Sequence, residues 1–126
     1  MPDSLASTAL RTALDLARSG DALQAIQVLK DAIAATEDAE MRDRLARCGG
    51  AIAGGIDAHA TEVAFYRVSV AASPHDAATR LMLGRSLASL LASAEAKDQF
   101  DEALRLAKDS NDVDLQSAIE AELARL

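Results

Sequence analysis

The sequence has few of the residues on which many folds and active sites depend. Among its 126 residues are one cysteine, two histidines, no tryptophan and only 2% aromatic residues. The single cysteine, Cys48, excludes an intrachain disulfide, and six glycines and two prolines are too few for a low-complexity or β-rich chain. No apolar run reaches the roughly 18 residues that a bilayer requires, so the sequence predicts no membrane insertion.

The charge of the chain has one predominant sign. The formal net charge is −7. An acidic surface repels phosphate backbones, so the sequence predicts no nucleic-acid partner. The N-terminal residues carry an early acid, Asp3, and alternate apolar with polar side chains, which is unlike a signal peptide. Together with the scarcity of cysteine, these features predict a cytoplasmic protein.

Helical periodicity is the strongest positive signal. Half of the residues are hydrophobic, most of them alanine or leucine, and they recur at spacings of three and four in seven segments. Short loops between these segments predict antiparallel neighbouring helices. Capping residues predict the boundaries: Asp21 begins the second helix, a Gly54-Gly55 turn ends the third, Asp57 begins the fourth, Ser73 begins the fifth (to about Ala92), Ser93 begins the sixth, and Asn111 or Asp112 begins the seventh.

An internal repeat groups the first six helices into pairs. Small residues recur where paired helices would touch, and large residues recur where a core must be filled. The last predicted helix carries Leu115, Ile119 and Leu123 on one side and would cover the open flank of the third pair. At offsets of 34 and 37 residues, the equivalent positions are Gly84, Gly50 and Ala13, and then Phe100, Tyr66 and Leu29.

This plan resembles the tetratricopeptide repeat. In the third unit, Leu83-Gly84 is followed by Ala96, Phe100 and Ala103, the small-large-small pattern of that family's second helix. The middle unit departs from the pattern, with Glu62 where a small residue is expected. The resemblance implies an all-α fold, a right-handed α-solenoid of three antiparallel helix pairs with a seventh capping helix. The implied units are repeats over about 6–39, 43–76 and 77–110 and a cap over about 111–126.

The resemblance also implies a concave groove, lined by the first helix of each pair, that receives a protein or peptide. Arg44 and Arg47 lie three residues apart and therefore on one face of their helix. With a third arginine they would attract an acidic side chain or a C-terminal carboxylate. In the alternative interpretation, these arginines lie on a solvated surface or form salt bridges with Asp43 and its neighbours. The predicted groove residues are Leu10, Leu14, Arg44, Arg47, Leu81 and Arg85.

Catalytic and cofactor sites are not predicted. No histidine forms a metal-binding helical pair, and no cofactor motif is present. Cys48 lies on an apolar stripe, which favours a structural thiol. The glycine cluster from Gly49 to Gly55 follows no strand and lacks the Gly-Lys-Ser/Thr ending of a phosphate-binding loop. Gly49-Gly50 lies within a helical pattern and favours tight helix packing over a pliable site. The preferred hypothesis is a non-enzymatic, adaptor-type or chaperone-like protein. The alternatives are a scaffold that assembles with itself and a helical domain that holds a small ligand.

Overall fold

Residues 2–126 fold into seven α-helices that pack on one another in sequence order. The computed structural model describes residues 2–126, with side chains from Leu5 onward. Each helix contacts the next, α1 also contacts α3, and α5 also contacts α7. The prediction of an all-α, solenoid-like arrangement is therefore confirmed. The helices are α1 (Pro2–Arg18), α2 (Ala22–Ala35), α3 (Ala39–Gly55), α4 (His59–Ala72), α5 (Ala77–Ser89), α6 (Ser93–Asp109) and α7 (Val113–Arg125).

Aspartates cap the start of four helices. The carboxylates of Asp21, Asp38, Asp76 and Asp112 each accept a hydrogen bond from the backbone N–H three residues further on, at 3.1–3.3 Å. Asp21 and Asp112 were predicted as caps and are confirmed. For Asp112, the acceptor distance to the N–H of Leu115 is 3.1 Å.

Three predicted boundaries are wrong. Asp57 is not a cap but lies in the α3–α4 turn, and α4 begins at His59 without a side-chain cap. Ser73 ends α4, because its hydroxyl donates to Asp43 and leaves Asp76 to cap α5. Gly54-Gly55 forms the last turn of α3 rather than a loop. In addition, α5 ends at Ser89, three residues before the predicted Ala92.

Four helices are followed by a residue whose backbone dihedral angles lie in the left-handed region. After α5, the N–H of Leu91 donates to Ala88 O at 2.9 Å and the N–H of Ala92 donates to Leu87 O at 3.0 Å, the paired bonds of a Schellman motif. The same pattern follows α1, α3 and α6. A leucine there is unusual, since the left-handed conformation costs a residue with a Cβ roughly 1–2 kcal/mol. The left-handed residues are Gly20, Asp57, Leu91 and Asn111, with φ of 86°, 57°, 61° and 57°.

The buried side chains form two clusters along the stack. The first joins α1 to α4 and includes Leu29, and the second joins α4 to α7 and includes Phe100; both side chains are fully buried, as their predicted core role requires. Ile119 of α7 is also fully buried in the second cluster. The last helix therefore covers apolar surface of α5 and α6, as expected of a cap.

Glycines let two helix pairs approach closely. A Cβ atom at Gly50 would lie within 3.0 Å of the Tyr66 ring, and one at Gly84 would meet the ring of Phe100 in the same way. Gly49 meets Phe65 similarly. The interpretation of Gly49-Gly50 as a tight packing site is confirmed.

Candidate partner-binding surface

The six predicted groove residues lie in α1, α3 and α5, and we call the surface of these helices the odd-helix face. Leu14 is 42% exposed, whereas Leu10 is half-buried against the first cluster. Leu81 is only 5% exposed and belongs to the second cluster. Leu81 therefore contributes to the core and not to an accessible surface.

The three arginines are exposed, but each is paired with an acid. The Arg44 guanidinium lies 3.7 Å from the Glu40 carboxylate, and both side chains are more than half exposed. The Arg85 guanidinium lies 3.1 Å from the carboxylate of Glu122 on α7. Arg47 pairs within its helix and beyond it, as described below. The structure thus agrees with the salt-bridged interpretation, and the arginines do not create an uncompensated positive focus.

Arg47 occupies the centre of a polar network that joins three helices. Its Nε donates to Asp43 at 3.0 Å, and its Nη2 donates to Asp76, the N-cap of α5. Asp43, with a side chain 14% exposed, also accepts from the hydroxyls of Ser69 and Ser73, the latter at 3.2 Å. Arg47 therefore links α3 to the start of α5. Ser69 and Ser73 link the end of α4 to the same network.

The network changes the proton affinity of its members. Partial burial raises the pKa of Asp76, but the hydrogen bond and charge of Arg47, together with the N–H of Thr79, outweigh it and lower the pKa below its usual value. Burial lowers the pKa of Arg47, whereas its bonds to Asp43 and Asp76 prevail and raise it. The ion pair is consequently charged at neutral pH.

A small cavity opens between α3, α4 and α5 beside this network. Its volume is about 140 Å³, and it is lined by Arg47, Tyr66, Ala78, Thr79 and Met82. Thr79 is 2% exposed, and its Oγ1 has no hydrogen-bond partner among the described protein atoms. Burial, and secondarily the charge of Glu62, raises the pKa of Tyr66, while Arg47 opposes this. The phenol thus stays neutral and able to donate. The cavity offers apolar walls beside hydroxyl groups.

Several of these residues were not predicted as site residues. Asp43 and Arg47 are four residues apart, a spacing that signals an ion pair on a helix. The bond from Arg47 to Asp76 spans 29 residues and has no local signal. In the sequence, Thr79 can be recognised only by its position three residues after Asp76, the cap of α5.

Three further features of the described residues concern metal binding, membranes and the thiol. Within that part of the chain, no group of three histidine, cysteine or acidic side chains is arranged to hold a metal ion. No described helix has the length and apolar character needed to cross a bilayer. The thiol of Cys48 is half-buried against the first cluster, and burial raises its pKa.

Comparisons with known proteins do not extend these observations. No protein-family model matches the chain, and no curated protein has a similar sequence. The fold and the surface define the class, an all-α protein of stacked, repeat-like helix pairs.

Proposed function

We propose that the chain is a non-enzymatic protein-binding module, adaptor-type or chaperone-like, that receives a peptide segment on the odd-helix face. The cavity between α3, α4 and α5 carries this proposal, because it places the apolar side chains of Ala78 and Met82 beside the guanidinium of Arg47. The exposed side chain of Leu14 adds an apolar contact on the same face.

The helix pairs are proposed to be tetratricopeptide-like repeats. Equivalent positions of the second and third units make equivalent contacts, Gly50 against Tyr66 and Gly84 against Phe100. In the first unit, Ala13 and Leu29 stand at these positions, and both are fully buried. A repeat of this kind would operate in the cytoplasm as a binding module, which accords with the composition of the chain.

The partner's chemistry follows from the paired arginines. Arg47 and Arg85 hold helices together, so they have limited capacity to attract an acidic peptide. Arg44 differs, since its pair with Glu40 is long and exposed, and a partner carboxylate can compete for it. We therefore propose a peptide held mainly by apolar contacts and backbone hydrogen bonds, with one acidic residue near Arg44.

Affinity capture from the native lysate tests this proposal. Ala78 is exposed and lines the cavity, so Ala78→Gln should fill the cavity at little cost to stability. Ala71→Gln makes the same change at an exposed position of α4 and serves as the control. We expect a protein that wild type and Ala71→Gln capture equally and that Ala78→Gln loses. Equal capture by all three forms would exclude the odd-helix face. Concentration-dependent oligomers in light scattering, without a captured protein, would indicate a scaffold instead.

A further inference from the structure

We propose that a second surface, separate from the odd-helix face, docks an amphipathic segment whose apolar side chains are flanked by lysine or arginine. Because consecutive helices are joined by short turns, those after α1, α3 and α5 lie at the same end of the stack, together with the end of α7. We call this end the turn edge. Its exposed apolar residues are Leu23, Ile56, Leu90, Leu91 and Leu126, with 74%, 44%, 45%, 87% and 47% of their surface exposed.

Leu91 is the residue that most requires an explanation. It occupies the left-handed position of its turn, where the equivalent turns have Gly20 and Asp57, residue types that tolerate this conformation. Its side chain is 87% exposed, so packing within the chain does not offset the strain. The backbone hydrogen bonds of the turn stabilise this conformation, but the side chain itself remains uncovered. Strain retained at an exposed site is therefore the first sign of a binding role.

Leu91 is accompanied by further exposed apolar residues at the turn edge. Leu90 precedes Leu91 in the same turn, and Ile56 occupies the equivalent position in the α3–α4 turn. Leu23 lies in the first turn of α2 at the same end. A row of apolar side chains from three successive turns suits a helix or strand laid across them.

The charges at the turn edge indicate which kind of segment this surface would bind. Arg18 at the turn edge pairs with Asp15 at 3.9 Å, and Arg125 lies 3.2 Å from Glu122, a carboxylate that it shares with Arg85. The exposed carboxylate of Asp21 remains, and no lysine or arginine among the described residues lies within 4.0 Å of it.

Asp57 adds a second acid to the turn edge. Its side chain is 90% exposed, and the Nε2 atom of His59 lies 3.8 Å from its carboxylate. A second copy of the chain would present the same acids, and anionic lipid would be repelled by them. A segment with basic residues beside its apolar ones complements the turn edge.

The test uses two synthetic helix-forming peptides, one of leucine and lysine and the other of leucine and glutamate, titrated into the labelled protein and followed by NMR. Leu91→Asn removes the apolar side chain but places a residue that favours the left-handed conformation. Leu5→Asn removes a leucine that is 75% exposed at the opposite end and is the matched control. We expect the leucine–lysine peptide to shift the turn-edge resonances. Leu91→Asn should weaken its binding about ten-fold or more without lowering the melting temperature, and Leu5→Asn should not change it.

Four results would overturn the proposal. Unchanged affinity of Leu91→Asn would show that the peptide does not bind at the turn edge. Equal binding of the glutamate peptide would show that the turn edge does not select a basic segment. Self-association that Leu91→Asn abolishes would assign the surface to a second copy. Co-sedimentation with phosphatidylglycerol vesicles that depends on Leu91 would assign it to lipid.

Discussion

The ring of Phe100 lies against the backbone of Gly84, so close that a Cβ atom at position 84 would fall within 3.0 Å of it. Tyr66 bears the same relation to Gly50 one helix pair earlier. Each contact joins the first helix of a pair to the second, α3 to α4 and α5 to α6. The distance between the two helices of each pair is therefore set by an aromatic ring that occupies the space where a side chain on the glycine would lie.

Gly84→Ala should destabilise the protein although alanine is the better helix former. The new methyl group would collide with Phe100, which is fully buried and has no free space, and such overpacking costs about 1–3 kcal/mol. Gly55→Ala is the control, because no atom lies within 4 Å of its Cβ position and the helix gains at most about 1 kcal/mol. Urea denaturation measures both. A Gly84→Ala variant as stable as wild type would contradict the packing described here.

Leu29→Asp and Phe100→Asp should each unfold the domain. Both side chains are fully buried, and each carboxylate would lack a partner in an apolar cluster. Burying an unpaired charge costs several kcal/mol, comparable with the total stability of a domain of this size. Circular dichroism decides the matter. Leu23→Asp, at a position 74% exposed, should melt like wild type.

Deletion of residues 111–126 should leave a helical but less soluble protein. The truncation removes Ile119, which is fully buried, and uncovers the apolar flank of α5 and α6. Exposed apolar patches of this kind promote association. Size-exclusion chromatography should show larger species at unchanged helical content per residue. A truncated protein that remains monomeric and equally stable would show that α7 is not a cap.

Asp76→Asn should lower stability at neutral pH but not in acid. Asparagine retains the helix cap and loses the ion pair with Arg47. Because the pKa of Asp76 is lowered in the fold, its contribution is complete above the unfolded value of about 3.9 and disappears as the pH falls through the lower, folded value. The difference in unfolding midpoint between wild type and variant should thus shrink below about pH 4. A difference that does not change with pH would show that the ion pair is not its cause. Asp98→Asn, at an exposed position of α6, controls for the general effect of removing a carboxylate charge.

Much of the fold could be predicted because its signals are local. Apolar spacing locates all seven helices, and the repeated small and large residues identify the contact between Gly84 and Phe100. One of the wrong boundaries, at Ser73, arises from competition among polar residues. Ser73 has the chemistry of a cap, but its hydroxyl bonds to Asp43 of another helix.

The candidate site was less predictable because its contacts are not local. The pairing of Arg47 with Asp76 depends on how α3 lies against α5, and that geometry has no sequence pattern. The burial of Leu81 has the same origin, since a residue on the first helix of a pair faces either the groove or the next helix according to small differences in rotation.

The central claim, that a peptide binds on the odd-helix face, is tested most directly through the methionine methyl groups. Met82 lines the cavity between α3, α4 and α5, whereas Met41 is 8% exposed in the first cluster and serves as an internal reference. Protein labelled at methionine methyl carbons would be titrated with the captured partner, with Met82→Leu to assign the signal. We predict that the Met82 methyl resonance shifts on binding and that the Met41 resonance does not. A partner that binds while the Met82 resonance stays unchanged would contradict the account.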